Sequence, residues 1–299
     1  FLMLSVMSIM LPRAGAAAER IKEVIDTDST ITDKDSAKSI SDAKGVVSFE
    51  NVHFKYPNAD ADVLDDISFT ANPGETTAII GSTGCGKSTM VNLIPRLYDV
   101  TGGRITIDGT DIKDIKLKEL RDGIGFVPQK AVLFSGTIAS NLRFGKRDAT
   151  DDEIKEAAEI AQSTDFIEAK DEAYESHIAQ GGSNVSGGQK QRLAIARAIA
   201  KKPKIYVFDD SFSALDMKTD AKLRKALEEK SKDSTVIIVA QRISTILNAN
   251  QILVLDEGKK VGKGTHKELL NSCEEYMEIA KSQLSEEEIM STKGGAANE

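Results

Sequence analysis

Cysteine is scarce: the 299 residues hold two, Cys85 and Cys273. Two thiols cannot build a disulfide framework, and one of them sits in a glycine-rich loop, so a reducing compartment is expected. Basic charge is also in deficit. At a formal net charge of −8, the chain lacks the basic face that non-specific nucleic-acid binding needs. Long apolar runs are missing as well. Residues 1–12 (FLMLSVMSIMLP) are apolar and uncharged, but a bilayer span takes about 20 residues. No basic n-region or small-residue cleavage site marks a signal peptide. Because the chain starts with Phe1 rather than Met, the expectation is a piece of a longer protein that keeps the cytoplasmic end of a transmembrane helix. An apolar N-terminal strand is the alternative. What is present, 40% hydrophobic and 29% charged residues, is the make-up of a globular protein. The length suits one large domain with appendages, or two domains.

The chain is organised around Gly81-Ser82-Thr83-Gly84-Cys85-Gly86-Lys87-Ser88-Thr89. Apolar Thr77-Ala78-Ile79-Ile80 precedes this stretch and helix-like Met90-Val91-Asn92-Leu93-Ile94 follows it. Strand, glycine loop and helix is the context in which G-x4-G-K-[ST] reads as a phosphate site rather than a plain turn. Glycines let the backbone wrap so that successive N–H groups face an anion, and the helix N-terminus adds partial positive charge. Lys87 is expected to reach the β- and γ-phosphates, with the Ser88 hydroxyl on Mg²⁺. Cys85 lies between the two glycines nearest Lys87. Its neighbours are expected to favour thiolate, so that an adduct there would block the phosphates; the alternative is an inert small residue.

Around this loop the chain alternates. Residues 13–24 read as an Ala-rich helix, and the polar stretch 26–44 reads as a linker. Strands are expected at 47–54, 63–69, 74–80, 103–109 and 124–127. From 137 to 200 the pattern turns helical, with helices at 151–162 and 189–199. An unbroken apolar run, Lys204-Ile205-Tyr206-Val207-Phe208, has the form of a strand buried in a parallel sheet. A helix at 218–230 and strands at 235–239 and 251–255 follow. The acidic and then Gly/Ala-rich end, 285–299, is expected to fray. The whole reads as an α/β phosphate-binding core interrupted by a helical insertion.

Asp209 ends the apolar run, where a second NTPase motif would deliver a carboxylate to Mg²⁺. Asp210 then stands where a water-orienting carboxylate is needed. Ser186-Gly187-Gly188-Gln189 opens an amphipathic helix, and a Ser at such a start is ordinary capping.

In this setting, however, SGGQ-x-QR resembles the signature of the ATP-binding cassette family, and the resemblance covers residues 46 to about 280. Tyr56 matches the aromatic residue that stacks on adenine, Gln129 matches the Q-loop, and Ser213-Ala214-Leu215-Asp216 matches the D-loop. The resemblance implies a RecA-like P-loop NTPase core with an antiparallel β subdomain and an inserted α-helical subdomain. It divides the chain into 1–12, 13–45, a nucleotide-binding domain at 46–283 and a tail at 284–299. ATP and Mg²⁺ are the implied ligands. Ser82, Thr83, Gly84, Cys85, Gly86, Lys87, Ser88, Thr89 and Tyr56 would hold the nucleotide. Ser88, Gln129 and Asp209 would serve the metal, and Asp210, Gln241, Gln129 and Lys87 would be catalytic. Ser186, Gly187, Gly188, Gln189 and Asp216 would contact nucleotide across a dimer, because ATP in this family is sandwiched between one subunit's phosphate loop and the other's signature.

The flanks resemble exporters. Pro12-Arg13-Ala14-Gly15-Ala16-Ala17-Ala18-Glu19-Arg20-Ile21 is similar to the exit from a last transmembrane helix, and Gly264-Thr265-His266-Lys267-Glu268-Leu269-Leu270 is also exporter-like. The implied partners are a second half-transporter and both membrane domains, at the cytoplasmic face of a membrane. The family normally carries Glu at the position of Asp210 and His at that of Gln241. Asp is one methylene shorter, setting its carboxylate back by about 1.5 Å, and Gln carries no proton or charge. The pair resembles the degenerate sites of heterodimeric exporters. A homodimer with two working sites and a soluble cassette acting on ribosomes or DNA are the alternatives.

Overall fold

A computed structural model describes residues 1–40 and 43–294. It divides into two units, residues 1–32 and 33–299.

The first unit is one helix, α1 (Leu2–Ile25), which carries Pro12 inside it and buries no residue. The sequence pattern starts a helix only at Arg13, because an interior proline removes a donor and crowds the preceding turn. The structure runs the helix through Pro12 instead. No helix among the described residues is long and apolar enough to cross a membrane.

The second unit opens with β1 (Val47–Phe54), β2 (Leu64–Ala71), β3 (Thr76–Gly81), α2 (Lys87–Leu93), β4 (Gly102–Ile107) and β5 (Thr110–Asp111). Then come α3 (Leu117–Asp122), β6 (Ile124–Val127), β7 (Gly136–Thr137), α4 (Ile138–Arg143), α5 (Asp151–Ile160) and α6 (Thr164–Glu168). The chain continues with β8 (His177–Ile178), α7 (Gly187–Ala200), β9 (Ile205–Asp209), α8 (Met217–Lys230) and β10 (Thr235–Val239). It closes with β11 (Gln251–Asp256), β12 (Lys259–Gly264), α9 (His266–Ser272), α10 (Glu274–Gln283) and α11 (Glu286–Gly294).

The central sheet has the order β12-β11-β3-β10-β9-β6. Its strands are parallel except β12, which is antiparallel to β11. The phosphate-loop strand β3 thus lies between β11 and β10. Both faces of the sheet are covered, which is why its strands read as unbroken apolar runs rather than alternating ones. Successive residues still part to opposite sides. Ile79, Val207, Val239 and Leu255 join one core, with Phe49 and Phe54. Ile80, Phe208, Ile238 and Val254 join the other, with Leu193 and Ile199 of α7. Each such side chain contributes about 1.5–3 kcal/mol on burial.

A second sheet, β2-β1-β4-β5, is antiparallel throughout and packs over the first core. This α/β arrangement, with α4 to α7 inserted between β7 and β9, agrees with the expected fold class. The insertion is not wholly helical, since β7 and β8 pair within it.

Residues 33–40 and 43–46 belong to the second unit and are tied into it, rather than forming a free linker. Leu117 N–H donates to Asp33 Oδ1 at 2.7 Å and Ser39 Oγ to Glu119 Oε2 at 2.6 Å. The amides of Lys44, Gly45 and Val46 converge on the Asp108 carboxylate. Residues 41 and 42 of the expected linker lie outside the described residues, as do 295–299 of the expected tail. The expectation of a frayed end is corrected over 286–294, which form α11. Ile289 there is buried against the helical core.

Candidate nucleotide site

β3 ends at Gly81, and the chain wraps through 82–86 before α2 starts at Lys87. Two glycines are required by geometry. A Cβ on Gly81 would meet the Leu255 carbonyl oxygen at 2.0 Å, and Gly86 has a φ of +99° with Leu64 Cδ2 at 2.8 Å from any Cβ. The loop borders a cavity of 230 Å³ lined by Thr83, Gly84, Gly86, Lys87, Ser88, Thr89, Gln129, Asp209, Asp210, Val239 and Gln241. Residues from four separate stretches therefore meet at the carboxyl end of the parallel strands, where ligands bind in open α/β sheets.

The Lys87 ammonium donates to the carbonyls of Gly81 at 2.9 Å and Ser82 at 2.6 Å. It closes the loop on itself while remaining beside the cavity. Ser88 Oγ donates to Asp209 Oδ1 at 2.9 Å. Two oxygens at that spacing match about the edge of an octahedron with bonds of about 2.1 Å, the geometry Mg²⁺ demands. The residues present therefore fit the hydroxyl and carboxylate expected to hold that ion.

β9 and β10 carry the two acidic residues into place. Asp209 pairs in register with Val239, and the Asp210 N–H donates to the Val239 carbonyl at 3.0 Å. Asp210 has a positive φ of 48°, a conformation Asp accepts more readily than most residues. Both carboxylates are buried. Burial lifts the Asp209 pKa above its ordinary value, helped by the neighbouring charge of Asp210 and opposed by the Ser88 hydrogen bond. Burial lifts Asp210 as well, against hydrogen bonding from Gln129 and the charge of Lys87.

One oxygen of Asp210 is doubly engaged. Gln241 Nε2 donates to Oδ2 at 2.6 Å and Gln129 Nε2 donates to the same atom at 3.3 Å. Gln129, expected near the metal, thus places its amide nitrogen on Asp210. The resemblance names all three residues but not the bonds between them, which join partners 31 and 81 residues apart.

Tyr56 is half-buried beside the loop. Its hydroxyl lies 3.0 Å from Thr89 Oγ1, and its ring meets Phe54 and Tyr98 edge-on, with centroids 4.9 and 5.2 Å away. Ser82, at the loop start, is exposed, with its hydroxyl 3.5 Å from Asp256. Cys85 is 4% exposed and packs into the core under the antiparallel sheet. The expected reactive handle is thereby corrected to a buried thiol, of the kind that is inert.

Ser186, Gly187, Gly188 and Gln189 lie outside this cavity. Ser186 caps α7, accepting from the Gln189 N–H at 3.2 Å while Gln189 Oε1 accepts from the Ser186 N–H at 3.0 Å. A Cβ on Gly188 would stand 3.2 Å from the Ala214 carbonyl, so this helix start abuts the segment 213–216. Asp216 caps α8, and the Thr219 amide holds its carboxyl below the usual range. Both caps are exposed.

A family model described as ABC transporter matches residues 64–213. The chain is 49% identical to an uncharacterised ABC transporter ATP-binding protein of Mycobacterium tuberculosis, over 98% of its own length and 50% of that protein's. It is 42% identical to the beta-(1→2)glucan export ATP-binding/permease protein NdvA of Rhodopseudomonas palustris, over 94% and 47% respectively. Among solved structures it resembles a bacterial Atm1-family ABC exporter with ATP bound. That match has a TM-score of 0.86 and 37% identity, and covers 92% of this chain and 48% of the other. The chain thus spans about half the length of these relatives.

Proposed function

This chain belongs to the ABC transporter family, and from that premise we propose that it is the ATP-binding and ATP-hydrolysing part of a membrane exporter whose own site turns over slowly. Relatives that combine an ATP-binding part with a permease in a chain twice as long support a half-transporter at the cytoplasmic face of a membrane. In this reading Lys87 holds the β- and γ-phosphates, Ser88 and Asp209 hold Mg²⁺, and Tyr56 stacks on adenine. Bound Mg²⁺ neutralises charge on the phosphates. Gln129 and Asp210 orient the attacking water, and Gln241 hydrogen-bonds the γ-phosphate.

The observation that carries the slow site is the double hydrogen bond on Asp210 Oδ2. A short carboxylate held back by two amides is poorly placed to reach a water. Displacements of this size cost on the order of 10²-fold in rate. Neither glutamine can take up a proton in its place. Ser186 to Gln189 and Asp216 lie outside this chain's cavity, with Ser186, Gly187 and Asp216 exposed, and would then complete the working site of a second, different half-transporter.

ATP hydrolysis by the assembled transporter tests this. With Asp210→Glu and Gln241→His together, this chain's own site should gain about 10²-fold. A wild-type site that already matches the double variant would show that it is fully competent and that the assembly has two working sites.

A further inference from the structure

A second polar cluster lies outside the phosphate cavity, on the antiparallel sheet. His53 is near the end of β1, Asp65 is near the start of β2, and Asp62 is in the loop that joins them. Pairing of Phe54 with Leu64 and of Val52 with Ile67 brings the two strand residues side by side. His53 Nδ1 lies 3.1 Å from Asp65 Oδ1. A carboxylate oxygen of Asp62 completes a set of donor atoms all within 4.8 Å of one another. Among the described residues no other three His, Cys, Asp or Glu side chains bring donor atoms so close.

We propose that His53, Asp62 and Asp65 bind a divalent transition-metal ion of the Zn²⁺ type. Zinc bonds to nitrogen and oxygen run at about 2.0–2.2 Å. Two ligand atoms on one ion therefore stand roughly 2.9–3.5 Å apart, between right-angled and tetrahedral arrangements. The His53–Asp65 spacing of 3.1 Å falls inside that interval. A small rotation of the exposed Asp62 side chain closes the third contact, and water fills the remaining positions.

The donor set selects the metal. Imidazole with carboxylates suits zinc, cobalt and nickel, whereas Mg²⁺ and Ca²⁺ prefer oxygen alone. The supports are already in place. Lys259 Nζ stands 3.5 Å from the other oxygen of Asp65, so it orients that carboxylate from behind without occupying the metal-facing atom. The Asp65 N–H donates to the Gly258 carbonyl at 2.9 Å. The His53 carbonyl accepts from both the N–H and the hydroxyl of Thr101, each at 3.0 Å. Two ligands thus ride on pinned strand backbone and the third on a free loop. A bound ion ties that loop, which begins just after Tyr56, to both strands. The site does not depend on the transport reading.

Competing ligands are few, which makes the test clean. The other histidines are His177, exposed, and His266, buried, and both cysteines are buried. Zn²⁺ is titrated calorimetrically into the nucleotide-free protein without Mg²⁺, and Co²⁺ serves as the absorbing probe. One ion per chain is expected. His53→Ala, Asp62→Asn and Asp65→Asn should each weaken binding by at least about tenfold, since losing even an outer-shell partner costs that much. His177→Ala should change nothing. Asp62 is an exposed loop residue, so its variant folds, and loss of binding there reports on coordination. Amide exchange across residues 57–63 should slow with Zn²⁺ in the wild type and not in Asp62→Asn. Zn²⁺ binding that survives unchanged in His53→Ala and Asp62→Asn, or no saturable binding at all, would overturn the assignment.

Discussion

The hydroxyl of Tyr56 lies 3.0 Å from that of Thr89, tying the loop after β1 to the first turn of α2. A half-buried hydrogen bond of this kind contributes about 0.5–1.5 kcal/mol. Nucleotide that engages Thr89 and the Tyr56 ring must exchange it for contacts of its own. Tyr56→Phe keeps the ring and removes the tie, so ATP affinity should hold or rise by up to about tenfold. Tyr56→Ala should lose about 1–3 kcal/mol, the usual worth of a base–aromatic stack. Equilibrium binding of a fluorescent ATP analogue separates the two. Equal losses in both variants would show that the hydroxyl, not the ring, recognises the nucleotide.

Cys85 should resist modification. It is 4% exposed and Cys273 is 6% exposed, so labelling waits on opening of the core. In a Cys273→Ser background, maleimide should label the native chain far more slowly than the chain in urea. Mg-ATP should slow it further, because a ligand of the folded state suppresses opening. Labelling as fast as in urea would mean that the phosphate loop is open in solution.

Glu153 sets an acid limit on the inserted helices. Its carboxylate accepts from Lys202 at 2.8 Å, from Lys146 at 3.0 Å and from the Thr150 amide at 3.0 Å. These contacts, Lys202 first, hold its pKa down to about 2, against an ordinary 4.5. A depressed carboxylate stabilises the fold fully above its unfolded value, and that stability is lost as pH falls toward the folded one. The wild type should therefore lose stability between pH 4.5 and about 2, more steeply than Glu153→Gln. Urea midpoints at a series of pH values measure the difference. Parallel curves would mean that the lysines contribute nothing.

His266 is buried, with its Nδ1 2.7 Å from the Tyr276 hydroxyl and its Nε2 without a partner. Burial lowers its pKa from 6.5. Protons therefore bind the unfolded chain preferentially, and stability should fall as pH drops below about 6.5. His266→Gln should flatten that part of the profile, read as thermal midpoint against pH.

The sheet was legible because its strands are covered on both faces, and runs such as 205–208 and 235–239 need no periodicity to be recognised. The helix start at Ser186 and the glycine loop at 81–86 were legible because both depend on local capping and glycine geometry. Thr150-x-x-Glu153 and Thr265-x-x-Glu268 carry the same kind of local signal, since both close capping boxes. The second of these marks α9, a helix the apolar pattern alone leaves out. The bonds from Gln241 and Gln129 to Asp210 were illegible, being set by how β6, β9 and β10 stack in the sheet. Burial of Cys85 beneath its own loop was hidden for the same reason. Pattern places a residue in a loop, whereas packing decides which way its side chain turns.

The division of labour between the phosphate loop and the signature gives the sharpest comparison. Lys87 faces this chain's own cavity, while Ser186 caps α7 at an exposed surface outside it. If Ser186 serves a site on a partner subunit, Ser186→Arg puts bulk where that partner's γ-phosphate binds and should cut steady-state hydrolysis of the assembled transporter severely. Loss of the cap alone costs about 1 kcal/mol of stability, and Ser186→Ala controls for it, retaining the fold without the obstruction. On the proposed reading Lys87→Ala removes a phosphate contact at a slow site only, so its effect should be milder. Both variants are compared in the full transporter at equal assembly. Should Lys87→Ala be the more damaging, hydrolysis takes place at this chain's own loop and the asymmetric assignment fails.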